Sequence, residues 1–139
     1  MNTNIFFMLT IFLLSFSNSY AQANLKFNQT FSSMNAVNVD LDVKSKEVVI
    51  KTIKGSRIVI EMLINISSPN TNLLEFMAKS GRYDLEKSFN SETQTLVLTA
   101  TNHKNIISIK GKEISEQVSY VIYLPETMQS VHDTTAVNL

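Results

Sequence analysis

The chain has 139 residues, about the length of one domain. Its 12 Lys and Arg side chains are balanced by 12 Asp and Glu side chains, so the net charge is zero and nothing in the charge balance favours nucleic-acid binding. The chain contains no cysteine, which excludes disulfides, thiol catalysis, cysteine zinc sites and iron–sulfur clusters. The folded state must therefore be stabilised by packing alone.

The N-terminal segment differs from the rest of the chain. An apolar run from Ile5 to Leu14 is followed by polar residues and by small side chains at Ser19, Ala21 and Ala23. This order is typical of a secretory signal peptide, because signal peptidase requires small residues one and three positions before the cut. The run is too short for a membrane span, which takes about 20 apolar residues. We therefore expect a signal peptide at residues 1–21, cleavage after Ala21 or Ala23, and an exported protein without a membrane span, located in the periplasm or at the cell surface.

Residues 22–139 are predicted to form a single β-rich domain, because apolar and polar side chains mostly alternate. The alternation is clearest from Ile58 to Ile66. Gly55 precedes this segment and can adopt the positive φ of a tight turn, so we expect a hairpin with the run from Val48 to Ile53. Further strands are predicted at Val37–Val43, Tyr83–Phe89, Leu96–Ala100, a hairpin over Ile106–Ile114, Val118–Leu124 and, more weakly, in the tail from Met128 to Leu139.

One segment, around residues 72–80, loses the alternation and is predicted to be a short α-helix. Asn72 and Glu75 have the spacing of an N-cap and its capping-box partner. Gly81 stands where a left-handed C-terminal cap would end the helix. The predicted apolar stripe consists of Leu73, Phe76 and Met77. The fold class is therefore mainly β, as a sheet, a sandwich or the start of a β-solenoid, with one short helix.

No catalytic, cofactor-binding or metal-binding residue is predicted. His103 and His132 stand in polar stretches without the spacing of a metal site, and no serine has the glycine-framed setting of a hydrolase nucleophile. Tyr83 and Tyr120 fall on apolar faces and are predicted as core, whereas Tyr123 falls on the opposite face, where it either covers a neighbouring element or contacts a ligand. Three acidic pairs could hold calcium or perform acid–base chemistry, although a solvated face is their commoner role: Asp40/Asp42, Asp84/Glu86 and Glu113/Glu116.

Four segments together resemble an exported bacterial adhesin family: residues 37–61, 72–83, 95–100 and 109–131. The most specific piece is the strand from Tyr120 to Pro125, which ends in Leu-Pro. The resemblance implies a signal peptide followed by β-strands that lead into a β-solenoid-like domain, and it implies no active-site residues. Members usually continue past the Leu-Pro strand with many short strands. This sequence ends fourteen residues after Pro125, so we expect a short or truncated member.

These observations predict a non-catalytic exported module of the cell envelope, adhesin-like and without a cofactor. Its partner would be an unknown protein or envelope component that binds to the surfaces and edges of the β-sheets. An exposed β-edge would also allow self-association. The alternative is a periplasmic protein that binds or processes a small ligand or glycan at a site that the sequence does not reveal.

We expect the signal peptide to be removed on export. The chain recovered outside the cytoplasm should begin at Gln22 or Asn24, because the cuts after Ala21 and Ala23 both place small residues one and three positions before the cut. Mass analysis of its N-terminus checks this. An intact Met1 on that protein would show that residues 1–21 are not a cleaved signal.

Overall fold

A computed structural model describes residues 21–45, 47–101 and 106–131. The predicted signal peptide up to residue 20, both histidines and residues 132–139 of the predicted tail lie outside the described residues.

The described residues form ten strands and one helix, which confirms a mainly β fold with one short helix. The helix, α1, spans Thr71–Lys79 and lies between β4 and β5 in the chain. The strands are β1 (Ala23–Ser32), β2 (Asn38–Asp42), β3 (Val48–Ile53), β4 (Arg57–Ile66), β5 (Leu85–Asn90), β6 (Thr95–Ala100), β7 (Ile107–Ile109), β8 (Lys112–Ile114), β9 (Glu116–Pro125) and β10 (Gln129–Ser130).

The strands form two four-stranded sheets and a separate hairpin. Sheet A has the order β1-β4-β9-β3, in which β4 is antiparallel to both neighbours and β3 is parallel to β9. Sheet B has the order β10-β2-β6-β5, in which only β5 is antiparallel to its neighbour. The hairpin of β7 and β8 turns at Lys110 and Gly111, which both have the positive φ of a type I′ turn.

One apolar core joins the inner faces of the two sheets. The alternation predicted for β4 is confirmed, since Ile58, Ile60, Met62, Ile64 and Ile66 are all buried. The same cluster of buried side chains includes Val39 and Leu41 of β2 and Leu96 and Leu98 of β6. Each such side chain contributes about 1.5–3 kcal/mol when it is fully buried, so this shared interior holds the two sheets together.

The hairpin predicted between β3 and β4 is wrong, because β9 lies between these two strands. Ile50 is paired with Ile122, and Ile122 in turn with Ile60. Gly55 does have a positive φ of 135°, but the turn around it carries the chain past the end of β9 instead of folding β4 back on β3. A local turn signal specifies a change of direction, whereas the partner of β3 is a segment more than 60 residues away.

The ends of α1 agree with the prediction at one terminus only. The N-cap is Asn70, not Asn72, and its side-chain oxygen accepts a hydrogen bond from the Leu73 N–H at 3.0 Å. At the other end, Gly81 has the predicted left-handed conformation, with φ of 82°. Its N–H donates to Ala78, and the N–H of Arg82 donates to Met77, which is the Schellman arrangement.

The side chains of α1 that face the core differ in part from the predicted ones. Leu74, Met77 and Ala78 are buried, whereas Phe76 is 68% exposed and Leu73 is half-buried. Leu73 also packs against the core, so the predicted stripe is correct at Leu73 and Met77 and wrong at Phe76. The helix packs against β1, and the stripe that faces the core is centred on Leu74 and Met77.

We expect Ile60→Asp to destabilise the fold far more than Leu63→Asp. Both residues lie on β4, but Ile60 is fully buried and Leu63 is 46% exposed on the opposite face. An unpaired carboxylate at the first position should cost about 4 kcal/mol or more, and one at the second about 1 kcal/mol or less. Thermal unfolding checks this, and equal losses in melting temperature would contradict the observed register of β4.

Candidate functional site

The acidic pairs noted in the sequence do not assemble into one site. Asp84 accepts a hydrogen bond from the side chain of Gln29 at 3.1 Å, and Glu86 accepts one from Thr101 at 3.1 Å, both at exposed positions. Glu113 is exposed on β8. Among the described residues, no three acidic or histidine side chains lie close enough together to hold a metal ion.

Glu116 differs from the other carboxylates because it pairs with Arg82 away from solvent. The guanidinium donates from Nε to Oε1 at 3.1 Å and from Nη2 to Oε2 at 2.9 Å, and the two side chains are only 13% and 12% exposed. Tyr83 donates its hydroxyl proton to Oε1 of the same carboxylate at 2.5 Å. The cluster joins the loop after α1 to the first residue of β9, so Glu116 does not have the solvated position expected from the sequence.

Burial changes the protonation behaviour of the groups around Glu116. Burial and the hydrogen bond to the carboxylate raise the pKa of Tyr83 far above its usual range. The hydrogen bond to Glu116 also raises the pKa of Arg82. A phenol and a guanidinium already hold their protons at physiological pH, and these pKa shifts extend that state to higher pH, so the cluster is an ion pair with a neutral hydroxyl donor.

Tyr120 lies near this cluster but does not join it. The side chain is buried, and its hydroxyl has no hydrogen-bond partner within the described part of the chain. Burial and the nearby charge of Glu116 raise the pKa of Tyr120 well above its usual range. The prediction of Tyr83 and Tyr120 as core residues is confirmed, but only the first of the two hydroxyls is satisfied.

The second candidate site is the outer face of sheet A. The register places the outward side chains in rows that cross all four strands. One row runs Thr30, Val59, Tyr123 and Lys51. The next row runs Asn28, Glu61, Val121 and Val49.

Aliphatic and aromatic side chains occupy the middle of this face. Val49 is 51% exposed and Leu63 is 46% exposed, and their neighbours on β4 and β9 are half-buried. We use the name outer strip for Val49, Val59, Leu63, Val121 and Tyr123. Exposed apolar side chains that lie side by side on a flat sheet, bordered by charges, are typical of an interaction surface.

Charged side chains lie within and beside the outer strip, with Glu61 between Val59 and Leu63 on β4, and contacts hold them in place. Lys26 and Glu61 form an ion pair at 2.8 Å across β1 and β4, and the hydrogen bond between them raises the pKa of Lys26 and lowers that of Glu61. The ammonium of Lys51 lies 5.6 Å from the centre of the Tyr123 ring. Tyr123 is therefore half-buried by Lys51 and still presents part of its surface to a partner.

No family model, no curated protein and no solved structure matches this chain. The resemblance to the exported adhesin family therefore stays a prediction. No helix among the residues described here is long and apolar enough to cross a membrane.

We expect Tyr83→Phe and Tyr120→Phe to have different effects on stability. The first removes a hydrogen bond to a buried carboxylate and should lower the free energy of unfolding by about 2 kcal/mol. The second removes a hydroxyl without a partner and should change it by less than about 0.5 kcal/mol or raise it. Urea denaturation of both variants measures the difference. Equal losses would show that the Tyr120 hydroxyl is bonded in solution.

Proposed function

We propose that this chain is a non-catalytic, adhesin-like module of the cell envelope that binds its partner through the outer strip. The observation that carries the proposal is that Val49 and Leu63 are exposed on the same face of sheet A as Tyr123. Aliphatic surface supplies non-directional binding energy, and a tyrosine adds an amphipathic contact with a hydroxyl at its edge. The charges of Lys26, Lys51 and Glu61 on the same face would restrict which partners fit.

The arrangement of the titratable groups supports binding rather than catalysis. A catalytic acid or base must reach the proton that it transfers. The carboxylate of Glu116 instead accepts bonds from Arg82 and Tyr83, and it is only 12% exposed. Its described contacts are those of a structural ion pair that ties a loop to β9.

The partner expected for an exported module is a protein or other component of the cell envelope. A rigid β-face presents its contacts without a large ordering penalty on binding, since the strands beneath it are already fixed. This proposal includes the export predicted from residues 1–21 and the adhesin-like role implied by the sequence resemblance.

We expect Leu63→Asp to weaken binding of the purified protein to isolated cell envelopes of the producing organism by about tenfold or more, because a carboxylate in the outer strip must be desolvated on contact. Phe76→Asp is the matched control, since it changes an equally apolar, exposed residue on α1. Co-sedimentation with the envelopes, together with the melting temperature of each variant, provides the measurement.

Two results would contradict the proposal. One is unchanged envelope binding by a folded Leu63→Asp variant. The other is an equal loss of binding in the Phe76→Asp control, which would show that the outer strip has no special role.

A further inference from the structure

The edge of sheet A formed by β3 presents backbone groups that pair with no other described residue. The Tyr120 N–H donates to Glu47, and the Glu126 N–H donates to Ile53, so the odd-numbered residues of β3 face β9. The N–H and C=O groups of Val48, Ile50 and Thr52 therefore point away from the sheet. None of the described residues forms a hydrogen bond with these groups.

This edge has little of the protection that other sheet edges carry. Its sequence, VVIKTI, is β-branched except for Lys51 and contains neither proline nor glycine. By contrast, α1 packs beside β1, β10 has two residues, and β5 carries the charges of Glu86 and Lys87. Unprotected edges of high β-propensity readily accept a further strand.

We propose that the β3 edge pairs with the β3 edge of a second copy of this chain, antiparallel about a two-fold axis that passes Val49. A two-fold axis across a sheet edge makes the two strands antiparallel and brings the same patch of both copies together. The two four-stranded sheets would then form one continuous eight-stranded sheet.

The register centred on Val49 is favoured by charge. On the outer face it places Lys51 opposite Glu47 of the second copy, twice by symmetry, with the two Val49 side chains between them. Both charged side chains already lie on this face, since Glu47 accepts a hydrogen bond from Gln117 at 2.9 Å and Lys51 covers Tyr123. Opposite charges directly across an antiparallel pair are stabilising.

The inner face and the backbone agree with the same register. Val48 lies opposite Ile50 of the second copy, so two aliphatic pairs continue the half-buried inner side of β3. These are also the residues whose free N–H and C=O groups face outward, and in this register they exchange hydrogen bonds directly.

Neighbouring registers are less complementary. An axis through Lys51 would place the two ammonium groups opposite each other, which is destabilising. An axis through Ile50 would place Lys51 opposite an aliphatic Val49 and would give Glu47 no opposite charge. Only the Val49 axis matches charges and aliphatic pairs together, and it joins the outer strips of the two copies.

Charge exchange tests this pairing. In sedimentation equilibrium the exported protein should show a reversible monomer–dimer equilibrium. Lys51→Glu and Glu47→Lys should each weaken dimerisation by about tenfold or more, because each places like charges opposite each other twice. The double variant Glu47→Lys with Lys51→Glu should restore it to within about threefold of the original, since the charges match again.

The double variant is also the control for local damage, because it loses the same contacts with Gln117 and Tyr123 as the single variants. Val49→Lys provides a second probe, which should abolish the dimer by repulsion at the axis, whereas Leu63→Lys on the same face should leave it intact. A monomer at every concentration would overturn the proposal. The proposal would also be overturned if these substitutions left the dimer unchanged and removal of Val131–Leu139 abolished it. That result would place the contact at the C-terminal tail.

Discussion

The pairing of β4 with β9 is the constraint on which the rest of the structure depends. β4 contributes five buried side chains to the core and pairs with β1 on one side and β9 on the other. Because β9 takes the position next to β4, β3 must pair in parallel on the far side of β9 and become an edge. Pro125 ends β9, and the chain then crosses to sheet B as β10, so the same strand connects the two layers.

The buried ion pair fixes the beginning of that central strand. Glu116 opens β9 and lies opposite Ile66 at the end of β4, while Arg82 and Tyr83 reach it from the loop that follows α1. Removing one partner of a buried pair leaves the other charge unpaired, at a cost of about 3–5 kcal/mol. The helix, the loop and β9 are therefore held in one arrangement, although such a pair adds little net stability compared with an apolar contact of the same size.

The proposed roles of this protein both use sheet A but different parts of it. Its inner face is buried in the core, its outer face carries the outer strip, and its β3 edge carries backbone groups that no described residue pairs with. The outer strip and the edge meet at Val49, which is half exposed on the face and stands at the middle of the proposed axis. A second copy would extend the face without covering it, because strand addition acts through the edge and leaves both sides of a sheet accessible.

The sequence by itself determined the class of fold, the strongest strand and the residues of its buried face, because every even-numbered residue from Ile58 to Ile66 is apolar, whereas Glu61 and Asn65 interrupt the other face. It also located Gly81, whose positive φ is a local backbone requirement. Tertiary structure decided the partner of β3, the inward face of α1 and the burial of Glu116. The order of the strands depends on segments far apart in the chain. The face that α1 turns to the core depends on the strand it packs against. Glu116 has exposed neighbours in the sequence, and only the fold brings Arg82 to it. The outer strip could not be read from the sequence, because the register that brings its residues together on β3, β4 and β9 is a property of the folded sheet.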